Sequence, residues 1–185
     1  AVAPDGTWLY VTSEYDRVAL LARRPGEVAV PVVAPGRFTD LGDPHPLPGG
    51  KRVLFTAAQD GRWDLWTVAL DGTDLRRLTD DACLDRDPVA SPDGRWVVFS
   101  SDADGIFDLF ALDLATGERR RVTRVLGGAF WPAISPDGTR LAFSTWDAHG
   151  YDLALLPFAP DAWAPVGPET TCPRSDPRAG WTVDP

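Results

Sequence analysis

The stretch Asp87-Pro88-Val89-Ala90-Ser91-Pro92-Asp93-Gly94-Arg95-Trp96-Val97-Val98-Phe99-Ser100-Ser101 decides the fold. Pro92 presets the backbone for a tight turn, Asp93 tolerates the next position, and Gly94 supplies a positive φ. The turn joins two short strands. The second, Trp96-Val97-Val98-Phe99, is apolar at every position. A strand with one wet face alternates polar and apolar residues, so this one must be covered on both faces, as in stacked sheets.

Working outward, the same pattern recurs. Ala3-Pro4-Asp5-Gly6, Leu47-Pro48-Gly49-Gly50 and Ser135-Pro136-Asp137-Gly138 repeat the turn, with prolines at 4, 48, 92 and 136, a step of 44. A second ladder runs Pro44, Pro88, Pro132, Pro177, and a third runs Asp64, Asp108, Asp152. Strand-like runs follow each turn: Trp8-Leu9-Tyr10-Val11, Val53-Leu54-Phe55-Thr56 and Leu141-Ala142-Phe143-Ser144. A further strand reads Trp63-Asp64-Leu65-Trp66, Phe107-Asp108-Leu109-Phe110 and Tyr151-Asp152-Leu153-Ala154, and a short basic one reads Arg76-Arg77-Leu78-Thr79 and Arg120-Arg121-Val122-Thr123. The basic strand suits an outer edge, where charge discourages edge-to-edge pairing.

Four strands per 44 residues is the arithmetic of propeller blades. The expected fold is all-β: a β-propeller of four-stranded antiparallel blades at about 1–43, 44–87, 88–131 and 132–176, with 177–185 starting a further strand. Copy one is degraded, with Val18-Ala19-Leu20-Leu21 in place of the aromatic-Asp-Leu motif, and copy four lacks a clear basic strand. The lack of methionine and the blade faces left at the two ends fit four blades of a larger ring. A closed four-bladed ring, or two copies forming eight blades, are the alternatives.

Residues 87–101, with Phe107–Asp113 and Arg120–Thr123, resemble the TolB-type, WD-like propeller repeat. That resemblance implies the propeller fold and a place among periplasmic TolB proteins, the propellers of prolyl-oligopeptidase-type serine peptidases, or tricorn-type proteases. Val125-Leu126-Gly127-Gly128-Ala129-Phe130 and Gly150-Tyr151-Asp152-Leu153 also resemble the last blades of envelope propellers fused to an outer-membrane β-barrel.

Lysine and arginine number 18 against 27 aspartate and glutamate, a net charge of −9, which argues against nucleic acid and anionic membranes as partners. No apolar run approaches the length of a membrane span. Two cysteines and two histidines are too few for a disulfide scaffold or a cysteine-histidine zinc site. Cys83 and Cys172 lie in equivalent positions two blades apart, so both are expected as free thiols.

There is no Gly-x-Ser-x-Gly elbow, and Ser91 and Ser135 are accounted for by their turns, so no catalytic residue is expected. The leading site candidate is a ring position. Asp43, Asp87, Trp131 and Asp176 each precede a ladder proline, and equivalent positions of a propeller face one another around the axis. Asp43, Asp87 and Asp176 would hold a cation such as Ca²⁺ through oxygen ligands or meet basic groups of a partner. Asp before Pro equally suits an extended turn residue. Asp80, Asp81, Asp85 and Asp87 concentrate negative charge in one loop. Trp131 and Trp146 are candidate aromatic anchors, whereas Trp8, Trp63, Trp66 and Trp96 read as core. The repeated Asp64, Asp108 and Asp152 read as structural, accepting bonds from a neighbouring blade.

The expected function is a non-catalytic scaffold that binds a protein partner, using Trp131, Trp146, Asp85 and Asp87, in the bacterial periplasm or cell envelope. No cofactor other than a possible Ca²⁺ is expected, nor any membrane insertion by this chain, while exposed blade faces favour self-association. Two alternatives stay open: the gating propeller of a larger, cytoplasmic serine peptidase, and a metal-dependent propeller that binds small molecules.

Overall fold

Each apolar run is a strand, and each Pro-Asp-Gly turn joins an inner strand to its neighbour. The computed structural model describes residues 1–15, 17–167 and 172. The first blade is β1 (Trp8–Glu14), β2 (Arg17–Arg23) and β3 (Val30–Val33), with its innermost position reduced to a bridge between Val2 and Trp8. The second is β4 (Asp40–Pro46), β5 (Arg52–Gln59), β6 (Arg62–Ala69) and β7 (Arg76–Arg77). The third holds β8 (Asp85–Ala90), β9 (Trp96–Ser101), β10 (Asp108–Asp113) and β11 (Arg119–Arg121). The fourth is β12 (Ala129–Ile134), β13 (Arg140–Asp147) and β14 (Gly150–Pro157). A 3-10 turn, Pro160–Ala162, then leads to β15 (Ala164–Pro165). All pairs are antiparallel. The innermost strands β4, β8 and β12 begin three residues before or more ahead of the boundaries at 44, 88 and 132 that the proline ladder suggests.

Blades pack face to face in chain order. Leu9, Leu20 and Val32 meet Val53, Phe55 and Val68 between the first and second blades. Leu54 and Leu65 meet Val97, Phe99 and Phe110 between the second and third. Trp96, Val98 and Leu109 meet Leu141 and Phe143 between the third and fourth. Thus Val97 and Phe99 of β9 serve one interface while Trp96 and Val98 serve the other, which is why the strand is apolar throughout. Each such side chain contributes about 1.5–3 kcal/mol when fully buried. Trp66 and Trp96 are core as expected, but Trp8 is 60% exposed on the outer face of the first blade. On the far face of the fourth blade Tyr151, Leu153 and Leu155 are exposed as well. Among the described residues no strand of the first blade packs on the fourth to an extent comparable with neighbouring blades.

The aspartate ladder is structural, but its bonds stay within one blade. In the second blade the Arg77 guanidinium donates to Asp64 at 2.5 Å, and the Thr79 hydroxyl stands 3.5 Å from the same carboxylate. In the third, Arg121 donates to Asp108 at 2.9 Å and Thr123 at 2.8 Å. The threonine hydroxyls also accept the Leu65 and Leu109 N–H groups at 3.0 and 2.8 Å. An Asp–Arg–Thr lock therefore fastens the outer strand of each of these two blades to the strand beside it. Burial pushes the Asp64 carboxyl up, and Arg77 opposes that shift.

The fourth copy departs from the pattern. Ala164 and Pro165 stand 44 residues after Arg120 and Arg121, yet they pair with β11 and not with β14, making the third blade five-stranded. Val166 N–H donates to the Arg119 carbonyl at 2.8 Å, and Arg120 donates to the Pro160 carbonyl at 2.8 Å. This crossing carries Cys172 to Cys83, and the two form a disulfide with Cα atoms 5.0 Å apart. The expectation of free thiols is thereby overturned: once the chain leaves its repeat register after β14, equivalent sequence positions no longer sit two blades apart.

Asp108 is almost fully buried while Asp152 is exposed. Removing one partner of a buried, hydrogen-bonded pair costs about 3 kcal/mol. Asp108→Ala is expected to lose that much in chemical denaturation, whereas Asp152→Ala leaves the midpoint nearly unchanged.

Candidate binding surface at the channel mouth

The innermost strands each break register once against their neighbours, between Gly42 and His45, Arg86 and Val89, and Phe130 and Ala133. The extra residue at each break adopts a left-handed backbone: Asp43 at φ 49°, Asp87 at 53° and Trp131 at 51°. The residue before each ladder proline is thus left-handed, not extended. Asp enters this region at modest cost, Trp rarely. The break re-aims the side chain, as bulges do next to functional surfaces.

The three positions are brought together as the repeat implies. The Asp43 Oδ2 accepts the Thr56 hydroxyl at 3.1 Å and the Asp87 N–H at 3.3 Å, and the Asp87 Oδ2 accepts the Trp131 N–H at 3.5 Å. Each carboxylate thereby staples its own blade to the next. Asp43, His45, Asp87, Trp131 and the ladder prolines line an open cavity of about 420 Å³. Burial pushes the Asp87 carboxyl up; Arg86, 3.4 Å away, opposes this and the Asp43 charge adds to it. Burial pushes the His45 imidazole down, and the N-terminal charge adds to that shift. Asp176 lies outside the described residues.

The mouth is flanked by aromatic side chains. Phe107, Phe130, Trp131 and Tyr151 stack in series, with ring centroids 5.3, 5.9 and 5.7 Å apart. Tyr151 pairs across the strands with Trp146. Trp131, Trp146 and Tyr151 are 53%, 48% and 62% exposed. The sequence does not single out Tyr151, because it shares a repeat position with the half-buried aromatics Trp63 and Phe107. Its exposure comes from the uncovered face of the fourth blade.

The acidic loop is largely neutralised. Asp80 pairs with Arg77 at 2.7 Å, and Asp81 with Arg119 at 2.6 Å. Asp85 is fully buried inside the third blade, 3.4 Å from Arg119, and does not reach the rim. Its repeat equivalents are the apolar Leu41 and Ala129. The Arg119 guanidinium lies over Phe99 and Phe110 at 4.9 and 4.5 Å, so this ion pair replaces an apolar contact. Among the described residues one group of three potential metal ligands converges, Asp81 with Cys83 and Cys172, and the disulfide consumes both thiols. Asp43 and Asp87 belong to no such group there.

These stacked antiparallel blades define the class of protein as a β-propeller. The TolB beta propeller domain family matches residues 37–155, and the chain belongs to that family. Among curated proteins no sequence matches the chain significantly. Solved structures show the same fold. A protein assigned as TolB from Agrobacterium tumefaciens is similar at a TM-score of 0.75 and 21% identity, over 84% of this chain and 59% of that one. TolB from Acinetobacter baumannii aligns at 0.74 and 24% identity, over 86% and 39%. A puromycin-hydrolyzing peptidase from Mycobacterium tuberculosis aligns at 0.63 and 18%, over 91% and 30%. The chain therefore spans less than two thirds of each of these proteins.

Burial raises the Asp85 carboxyl to about 6 from an ordinary 3.8; Arg119 opposes that rise. The folded protein then binds this proton more tightly than the unfolded chain, so the contribution of Asp85 to stability falls as pH rises from about 4 through 6. Asp85→Asn is expected to gain stability relative to the native protein over that interval and to hold the difference above it, read from urea midpoints at pH 4, 5, 6 and 7.

Proposed function

We propose that this chain is a non-catalytic propeller module that binds a protein partner at the channel mouth, in the periplasm or cell envelope of a bacterium. The observation that carries the reading is Trp131, half exposed beside the Asp43–Asp87 rim of the mouth. Large aromatic side chains next to a polar rim are the usual anchors of protein interfaces. The rim favours a segment carrying basic groups. Membership of the TolB propeller family supports a binding role, and the Cys83–Cys172 disulfide supports an oxidising compartment.

A non-catalytic role also agrees with the local chemistry. Ser91 is buried and bonded to Asp93 within its turn, and His149 stands alone with Asp147 on an exposed hairpin. Among the described residues no histidine is hydrogen-bonded to a serine or threonine hydroxyl, which nucleophilic catalysis by the triad requires. The exposed far faces of the first and fourth blades support a place within a larger ring, where further blades would cover Trp8 on one side and Leu153 and Leu155 on the other.

Partners captured by the native protein from a periplasmic extract and identified by mass spectrometry are expected to be lost, by tenfold or more, with Trp131→Ala at an unchanged melting temperature. Equal capture by Trp131→Ala would remove the mouth as the binding surface.

A further inference from the structure

The second and third blades show what belongs beside their third strand. In each, an outer strand supplies an arginine and, two residues on, a threonine to one aspartate. The aliphatic residue between them, Leu78 or Val122, donates its N–H to the carbonyl of the following leucine, Leu65 or Leu109, at 2.8 and 2.9 Å. The threonine hydroxyl accepts that leucine's N–H. One Asp-Leu pair thus reads an Arg-aliphatic-Thr segment by a carboxylate, an N–H and a carbonyl together.

Among the described residues the fourth blade repeats the reader without the segment. Asp152 and Leu153 hold the same register in β14, with Asp152 opposite Thr145 as Asp64 is opposite Ala57 and Asp108 opposite Ser101. Among the described residues β14 pairs only with β13. Asp64 and Asp108 are buried, whereas Asp152 and Leu153 are exposed, Leu153 to 74%. The chain's own residues in the corresponding register are Pro165, Val166 and Gly167, which offer neither arginine nor threonine. They are held on the third blade by β15–β11 pairing and by the Cys83–Cys172 disulfide beyond them.

We propose that the outer edge of β14 is a recognition slot for an extended Arg-aliphatic-Thr segment of a partner protein, which adds to the fourth blade as its missing outer strand with its arginine and threonine on Asp152. Strand addition of this kind draws affinity from main-chain bonds and specificity from side chains on alternate positions. The arginine–carboxylate contact is charge-assisted and so carries most of the selectivity. The disulfide keeps the slot open by tethering the residues that would otherwise compete for it. The slot lies at the opposite edge of the sheet from β12, and the Trp131 experiment does not depend on it.

The test uses a blocked peptide with the sequence of residues 118–124, Glu-Arg-Arg-Arg-Val-Thr-Arg, titrated into the full chain without reductant. Saturable binding is expected, with backbone amide shifts in the NMR spectrum centred on Asp152–Ala154. Affinity should fall at least tenfold for Asp152→Asn, and equally for a peptide with alanine in place of its third arginine, a comparison independent of the folding of any variant. Absence of saturable binding up to millimolar peptide overturns the proposal. So does binding that Asp152→Asn leaves unchanged, or shifts centred on Asp43 and Asp87, either of which marks general attraction of a basic peptide to an acidic protein. Failure here leaves the Trp131 experiment unaffected.

Discussion

A buried carboxylate fastened by an arginine and a threonine seats the outer strands of the second and third blades. Asp64 and Asp108 sit between blades in apolar surroundings, and an ionised carboxylate there is costly unless its oxygens are occupied. Arg77 with Thr79, and Arg121 with Thr123, occupy them, and in doing so fix β7 and β11 on their blades. Apolar strands alone would set the stacking of blades but not the seating of a two- or three-residue strand with little surface to bury. The fourth blade shows the consequence of omitting the lock. With proline at 165 and glycine at 167 in place of the arginine and threonine, the chain leaves β14, crosses to β11 and is pinned there by the disulfide.

That departure organises the rest of the molecule. It gives the third blade a fifth strand and, among the described residues, leaves the edge of β14 unpaired and Asp152 exposed. Tyr151, on the far face of the fourth blade, stays exposed and stacks with Trp131. The mouth itself depends on a different device. There the carboxylates of Asp43 and Asp87 bond the backbone of the next blade, so the acidic rim is part of the scaffold and a surface at once.

Strand positions and blade stacking were legible in the sequence because both obey one period. The turn prolines mark the first, and runs such as Val97-Val98-Phe99, apolar on alternate faces, demand the second. The ring position was legible for the same reason: Asp43, Asp87 and Trp131 do come together. What the period cannot carry is any residue whose place depends on leaving it. Cys172 is an instance, since its partner follows from the crossing strand. Asp85 is another; its charge read as part of an acidic surface, while its burial is set by Arg119, a residue off the repeat pattern lying over two phenylalanines. Trp8 read as core from its strand, but core needs a neighbouring blade, and among the described residues the first blade has one on a single side.

The most direct test of the lock is to install it where it is missing. Pro165→Arg with Gly167→Thr, combined with Cys172→Ser to free the crossing segment, places the arginine and threonine in register with Asp152. Hydrogen exchange would then show the Leu153 amide protected and the Val166 amide released from the Arg119 carbonyl. An exposed Leu153 amide, with the segment still paired to β11, would contradict the claim that the Asp–Arg–Thr contact chooses the place of the outer strand.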